Sequence, residues 1–189
     1  MKLFFFDLET TGTDSKRHGI HQISGKIIID GITMEEFDYK VQPAYGVEYD
    51  QKSLQVCGVT EAQLKAYPHM HTVYPTVLAM LCKYINMDDP NDKYFIVGYN
   101  VNFDASQFVQ WFRINNGFKH FMNLFWTTVL DVMCLATAYL MEVRHKLENF
   151  KQSTVAIYLG IHVIADKLHD GVYDINLCIQ IYNIVCNKY

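Results

Sequence analysis

Hydrophobic and polar positions along this chain follow two periods, which predict strands first and helices afterwards. The apolar run from Leu3 to Phe6 is typical of a strand that is buried on both faces. A second strand is predicted in two pieces, at residues 20–23 and 26–30, and a third at residues 34–41. The tight-turn signal Asp30-Gly31 joins the last two strands. The three strands therefore predict an antiparallel meander.

Helical periodicity dominates the rest of the chain. Helices are predicted at residues 51–56, 60–66, 72–85, 131–141, 150–159 and 171–187, and another includes Asp104 and ends near residue 115. Strands are predicted at residues 94–97 and 124–130, and a loop at residues 142–146. This order indicates one α/β domain, residues 1–189, with a mixed central sheet flanked by helices. Functional residues of such sheets gather where strand ends meet helix starts.

Composition excludes several classes of protein. Half of the 189 residues are hydrophobic and 14% are aromatic, which indicates a globular chain rather than a disordered one. Apolar runs of membrane-spanning length and a signal-peptide pattern are both lacking, so we expect a cytoplasmic protein with no membrane contact. The five cysteines include no CxxC pair, which favours reduced thiols. A net charge of -4 disfavours coating of duplex DNA but permits an enzyme that holds a few nucleotides through metal ions.

Candidate chemistry begins at the end of the first strand. Asp7 and Glu9 are two residues apart, so their side chains share one face of the strand. Carboxylates held together there repel each other, and Mg²⁺ or Mn²⁺ relieves the repulsion because both ions prefer carboxylate oxygen. Two solvated acids at the end of a strand are the ordinary alternative. Asp7 and Glu9 alone do not decide between a metal site and this alternative.

Two later segments carry further candidates. Asp104 ends the segment Gly98-Tyr-Asn-Val-Asn-Phe-Asp104 and falls in the first turn of a helix. The helix dipole favours an acidic side chain there whether or not the residue has a function. Asp174 projects from the last predicted helix, and His169 lies five residues earlier in the preceding loop. A histidine near an aspartate is more often a surface pair than a catalyst, so neither segment is decisive alone.

Together the three segments resemble the DnaQ-like (DEDDh) 3'→5' exonucleases of the ribonuclease H-like superfamily. Asp7-Leu-Glu-Thr-Thr-Gly12 is similar to the first motif of that family, the segment ending at Asp104 to the second, and His169 with Asp174 to the third. The resemblance implies a ribonuclease H-like fold and two divalent cations, Mg²⁺ or Mn²⁺. It implies that the ions are bound by Asp7, Glu9, Asp104 and Asp174, and that His169 is the general base that activates water.

The resemblance also implies a substrate, a single-stranded DNA or RNA 3' end from which nucleoside 5'-monophosphates are released. DNA is favoured because the Thr-Thr-Gly ending of the first motif is more similar to DNA-directed members. The candidate substrate-binding residues are Leu8, Thr10, Thr11, Asn100 and Phe103. Phe103 is explained equally well as a core residue at a helix start. Basic residues that could contact the nucleic-acid backbone are Lys16, Arg17, Arg144, Lys146 and Lys151.

Three residues depart from the family pattern, and several alternatives stay open. Cys57 stands where proofreading relatives often have histidine, Gln22 where many have glutamate, and Gly171 where alanine is usual. The adjacent pair His169-Asp170 also fits HD-type phosphohydrolases, although those enzymes are helical and need further histidines. A non-catalytic binding module and a polymerase's proofreading subunit are alternatives to the freestanding enzyme that we favour. A second copy of the chain, in a homodimer, and a polymerase are the candidate protein partners.

Overall fold

The centre of the protein is a five-stranded mixed sheet, seen in a computed structural model that describes residues 1–168 and 170–186. The strands are β1 (Lys2–Thr10), β2 (Ile20–Ile29), β3 (Ile32–Lys40), β4 (Phe95–Gly98) and β5 (Leu130–Asp131), and their order is β3-β2-β1-β4-β5. β1 to β3 pair antiparallel, whereas β4 pairs parallel with β1 and β5 parallel with β4. The predicted meander and mixed sheet are confirmed.

Helices cover both faces of this sheet. They are α1 (Gln51–Val56), α2 (Glu61–Lys65), α3 (Met70–Cys82), α4 (Asn102–Ile114), α5 (Phe118–Leu124), α6 (Val132–Tyr139), α7 (Gln152–Tyr158) and α8 (Gly171–Cys186). Short 3-10 helices span Met141–Lys146 and Ala165–Lys167. The predicted helices agree with these bounds within a few residues, and the predicted helix end at Asn187 lies outside the described residues. None of the helices in the described part of the chain combines the length and hydrophobicity needed to cross a bilayer.

Strand β1 is buried on both faces because helices pack on each side of it. Phe4 and Phe6 pack against Phe108 of α4, with ring centroids 6.0 Å and 5.1 Å away. On the opposite face, Phe5 meets Tyr182 of α8 edge-on at 5.4 Å. Side chains alternate along a strand, so the acids that follow Phe5 at every second position emerge on the α8 side.

Strand β2 is continuous, whereas the sequence predicted two pieces separated by Ser24 and Gly25. The reason is steric: Gly25 lies opposite Phe37 of β3, and a Cβ on this glycine would lie 2.2 Å from the Phe37 ring. Gly25 therefore makes room for an aromatic ring inside the sheet and does not interrupt the strand.

The predicted strand at residues 124–130 is wrong for most of its length. Leu124 ends α5, a helix that the sequence did not predict, and only Leu130–Asp131 pairs with β4. Phe125 makes a single parallel bridge with Tyr94. Leu124 and Phe125 are fully buried, and a short buried apolar run has the same pattern in a helix as in a strand. The predicted loop at residues 142–146 is also wrong, because these residues lie in a 3-10 helix.

Candidate active site

The backbone pairing of β1 fixes where Asp7 and Glu9 point. Asp7 lies opposite Ser24 and Glu9 opposite Gln22 on β2, and both residues are of intermediate exposure as a whole. The register of the two strands shifts between Glu9 and Thr10, the last residue of β1, which pairs with Ile20. The two acids therefore stand on one face at the end of a buried strand, as the sequence predicted.

Helix α4 brings Asp104 to the same place. Asp104 is buried, and its Oδ1 accepts a hydrogen bond from the backbone N–H of Leu8 at 3.3 Å. Leu8 lies between Asp7 and Glu9, so this bond ties the first turn of α4 to the peptide that joins the two acids. Asp104 is thus part of the site and not an ordinary solvated first-turn acid.

The loop before α4 is held by Asp131, for which the sequence patterns predict no functional role. Asp131 Oδ1 accepts the N–H of Asn100 at 3.0 Å and the N–H of Met133 at 2.9 Å. Asn100 has a φ of 58°, a left-handed conformation that asparagine tolerates better than most residues. The available signal was an aspartate placed directly before a helix, the position of an N-cap.

Asp174 enters the site from the first turn of α8. Asp170 caps this turn, because its Oδ1 accepts the N–H of Tyr173 at 2.9 Å. The side-chain amide of Gln152 on α7 donates to the backbone carbonyl of Asp174 at 2.6 Å. Two separate elements therefore hold the backbone around Asp174.

Gly171 lets the start of α8 rest directly on β2. A Cβ at this position would lie 2.4 Å from Ser24 Oγ, 2.9 Å from Ser24 Cβ and 3.5 Å from Asp7 Oδ2. Glycine instead of the usual alanine at this position thus allows close packing of α8 on β2, and this packing places α8 beside Asp7. His169, the predicted general base, lies outside the described residues.

The clustered acids raise one another's pKa values. Burial, followed by the charges of Asp104, Glu9 and Asp174 in that order, raises the pKa of Asp7 well above its ordinary value. Burial also raises the pKa of Asp104 to about 7, although the hydrogen bond from Leu8 opposes this shift. Among the described residues, none of the causes of these two shifts, at Asp7 and at Asp104, is a positive charge.

A divalent cation fits this set of donors. Hard ions such as Mg²⁺ and Mn²⁺ bind carboxylate oxygens, and Asp7, Glu9, Asp104 and Asp174 supply four such groups. Within the described part of the chain, no three ligand-type side chains already stand close enough to surround one ion. A bound divalent cation would offset the cost of ionising Asp7 and Asp104, whose pKa values burial raises.

Of the cavities lined by described residues, two open ones lie beside Glu9 and Asp174. The first has a volume of about 260 Å³ and is lined by Leu8, Glu9, Thr10, Cys57 and Phe103 together with residues of α1. The second has a volume of about 590 Å³, and its lining includes Tyr99, Asn100, Phe150, Lys151, Leu168 and Asp174. The site thus has one cavity on the Glu9 side and another on the Asp174 side.

Comparison with known proteins identifies the family. The exonuclease family that includes RNase T matches residues 4–182. The chain belongs to this exonuclease family. No curated protein matches the chain. The helical HD-type phosphohydrolase alternative is wrong, because this chain is built on a mixed sheet.

Solved exonuclease structures share the fold. Escherichia coli Exonuclease I in complex with a dT13 oligonucleotide is 18% identical, with a TM-score of 0.74, and the match covers 97% of this chain and 40% of that one. A zinc-ion-bound Escherichia coli Exonuclease I–ssDNA complex, at 18% identity, has a TM-score of 0.78 and coverage of 99% and 40%. Exonuclease I from Methylocaldum szegediense is 17% identical, with a TM-score of 0.73 and coverage of 97% and 40%.

These matches confirm the predicted ribonuclease H-like fold. At such low identity the likeness concerns the fold alone. This exonuclease-family chain spans about 40% of the length of those solved proteins.

Thr11 and Arg17, both predicted substrate contacts, are engaged within the loop that follows β1. Thr11 is fully buried, and its hydroxyl donates to the Glu48 carbonyl at 2.6 Å and accepts the N–H of Gly19 at 3.0 Å. Arg17 Nε donates to the Glu48 carboxylate at 2.9 Å. The structure therefore gives both side chains a role in holding this loop and places neither in the lining of the two cavities.

Three of the predicted substrate-binding residues, Leu8, Thr10 and Phe103, lie beside Glu9, although Leu8 and Thr10 are only 5% and 7% exposed. All three line the cavity beside Glu9, and Phe103 is partly exposed although it sits at the start of α4. The hydroxyl of Thr10 donates to the carbonyl of Gly12 at 2.8 Å, which holds the turn that closes the first motif. Asn100 lines the other cavity, beside Asp174.

Cys57 contacts a predicted metal ligand directly. Its thiol donates to Oε2 of Glu9 with a sulfur–oxygen distance of 3.0 Å. Burial, followed by this bond to the Glu9 carboxylate, raises the pKa of Cys57 to about 12, so the thiol keeps its proton at neutral pH. The departure from histidine at this position thus places a neutral donor beside Glu9.

Proposed function

We propose that this protein is a metal-dependent 3'→5' exonuclease of the DEDDh type that releases nucleoside 5'-monophosphates from single-stranded DNA. The observation that carries the proposal is the convergence of Asp7, Glu9, Asp104 and Asp174 between two cavities in a chain of the exonuclease family. DNA is favoured over RNA because the structurally similar Escherichia coli enzyme is seen with DNA oligonucleotides. In this proposal residues 1–189 act as one exonuclease unit.

The four carboxylates would hold two divalent cations, Mg²⁺ or Mn²⁺, which stabilise charge on the attacking and leaving oxygens of a phosphodiester. The protein's own part is to orient these ligands. Asp104 is held by Leu8, the loop before it by Asp131, and the backbone of Asp174 by Gln152. His169 accepts the proton of the attacking water, a role that suits a neutral imidazole near pH 7.

The cavities supply a path for the strand across the site. The terminal nucleotide lies between Leu8 and Phe103, whose apolar surfaces suit a base or a sugar. The remaining strand passes Asp174 toward the larger cavity, where the ammonium of Lys151 suits a backbone phosphate. This path puts the scissile phosphate over the carboxylates.

A single-stranded DNA oligomer with a 5' label tests this proposal. With Mg²⁺, the label should stay on progressively shorter fragments while unlabelled nucleoside 5'-monophosphates accumulate. Asp7→Asn is the control, since it preserves size and removes a ligand charge. Immediate release of the labelled 5' nucleotide would refute the polarity, and equal digestion by Asp7→Asn would refute the site. Digestion of a matched RNA oligomer in parallel measures the preference for DNA.

A further inference from the structure

The end of helix α1 is built to present Cys57 at the site. Cys57 is the C-cap of this helix, and its N–H donates to the carbonyl of Ser53 at 3.1 Å. The next residue, Gly58, has a φ of +65°, and Val59 N–H returns to the carbonyl of Leu54 at 3.0 Å. This closure is typical of a helix that ends in a left-handed glycine, and it holds the backbone at Cys57.

The start of α1 is tied to the segment that follows β1. The N–H of Asp50 donates to the carbonyl of Thr11 at 2.7 Å, and the Asp50 side chain caps the helix by accepting the N–H of Lys52 at 3.0 Å. Leu54, in the middle of the helix, is 3% exposed and anchors it to the protein. Helix α1 is thus held at both ends and at its centre, and with it the backbone of Cys57.

The contact between Cys57 and Glu9 lies at the edge of the cavity proposed for the terminal nucleotide. The thiol donates to Oε2 of Glu9, with a sulfur–oxygen distance of 3.0 Å. Outer partners of this kind set the orientation of metal-ligating carboxylates, and their loss weakens metal binding. A thiol is a weak hydrogen-bond donor, so the loss of metal affinity on its removal should lie at the lower end of the 10- to 100-fold range that is usual for such outer partners, about tenfold.

We propose that Cys57 is a positioning residue that orients Glu9 for binding of a divalent cation, an inference that rests on the proposed function of Glu9 as a ligand. Cys57 acts through this carboxylate and need not touch the ion or the nucleic acid. What the role requires is a hydrogen-bond donor of small size at this position. Serine meets that requirement and alanine does not.

Three variants test the role: Cys57→Ala, Cys57→Ser and, as a matched control, Cys134→Ala at an exposed cysteine of α6. Binding of Mn²⁺ to the protein without nucleic acid is measured by titration calorimetry, together with the melting temperature in EDTA. Cys57→Ala should weaken Mn²⁺ binding about tenfold and raise the half-saturating Mn²⁺ concentration for activity to the same extent. Cys57→Ser should recover most of the affinity, and Cys134→Ala should match the wild type.

The outcomes separate this inference from the proposed function. Wild-type Mn²⁺ affinity in Cys57→Ala, with or without a lower melting temperature, would overturn the positioning role. Equal weakening in the alanine and serine variants would also overturn it, because a donor would then not be the requirement. Glu9→Gln tests the ligand itself: if it leaves Mn²⁺ binding intact, the proposed ligand set fails. If Glu9→Gln abolishes binding while Cys57→Ala does not change it, only the present inference fails.

Discussion

The backbone N–H of Leu8 and the carboxylate of Asp104 are joined by a hydrogen bond of 3.3 Å, although the two residues are 96 positions apart. This bond connects the first strand to the helix that follows the fourth. It favours the charged form of Asp104, whereas burial favours the protonated form and has the larger effect. The site therefore has a buried acid that is held in place but is costly to ionise without a cation.

The first prediction concerns the pH dependence of stability in EDTA. The pKa of Asp104 rises from 3.8 to about 7 on folding, so its contribution to stability is present below about pH 4 and is lost as the pH rises through 7. The melting temperature of the wild type should therefore fall between pH 5 and pH 8. Asp104→Asn keeps the acceptor for Leu8 N–H and cannot ionise, so its melting temperature should fall less and exceed that of the wild type at pH 8. Parallel pH curves in a thermal-shift assay would contradict this account.

The second prediction concerns metal ions. Mg²⁺ should raise the melting temperature of the wild type at pH 8, since a ligand at a hundred times its Kd stabilises the folded state by about 2.7 kcal/mol. Asp7→Asn and Asp174→Asn should show a much smaller rise, because each removes a charged ligand. The same titration with activity as the readout should show full loss in EDTA and recovery with Mg²⁺ or Mn²⁺. A rise of equal size in all three proteins would place the ion elsewhere.

The third prediction concerns His21 of β2. Its ring is 1% exposed, and neither ring nitrogen has a hydrogen-bond partner among the described residues. Burial, followed by the charge of Lys40, lowers the pKa of His21 from 6.5 to about 4. Folding therefore favours the neutral ring over the protonated one. The resulting contribution to the free energy of unfolding, up to about 3 kcal/mol, is fully present above pH 6.5 and is lost as the pH falls toward 4. His21→Phe should therefore melt nearer to its neutral-pH temperature at pH 4.5 than the wild type does. A wild-type acid profile for this variant would exclude His21 as the cause.

The fourth prediction concerns the contact between α8 and β2. Gly171→Ala would place a Cβ 2.9 Å from Ser24 Cβ, so the start of α8 must shift and carry Asp174 with it. Activity and metal affinity should both fall, whereas Ser24→Gly in the same chain should restore them by making room for the new methyl group. Ser24→Gly alone is the control for the loss of the serine. Failure of the double variant to recover would show that the crowding is not responsible.

The sequence predicted most of the fold because, in β1, in β3 and in most helices, the local hydrophobic pattern matches the face that packs in the folded chain. It also predicted that Asp7, Glu9, Asp104 and Asp174 lie together, because their motifs are short and lie at the ends of strands and helices. Long-range packing explains the failures. Gly25 has the local pattern of a strand interruption, and only its contact with Phe37 on the neighbouring strand shows why a glycine is needed inside the strand. Leu124 belongs to a short, fully buried apolar segment, whose pattern does not distinguish a helix from a strand.

The supporting residues of the site were the hardest to predict. Asp131 and Cys57 act on Asn100 and Glu9, which are 31 and 48 positions away along the chain. The residues next to Asp131 and Cys57 in the sequence do not indicate these partners. Only the folded chain shows that a helix cap also holds the loop before Asp104, and that a helix end presents a thiol to a carboxylate.

The fifth prediction concerns His169, whose role is inferred from the sequence. A general base must be neutral to accept a proton, so the rate with metal bound should rise with pH through the pKa of this histidine. His169→Asn keeps a polar side chain and cannot take the proton at neutral pH. Its turnover should fall by about 10²–10⁴-fold, whereas Mn²⁺ affinity measured without nucleic acid should stay near that of the wild type, because carboxylates hold the ions. If His169 instead orders the loop before α8, the asparagine variant should keep most of its rate and the alanine variant should lose stability. Wild-type turnover in a folded, metal-binding His169→Asn enzyme would therefore exclude the general-base role.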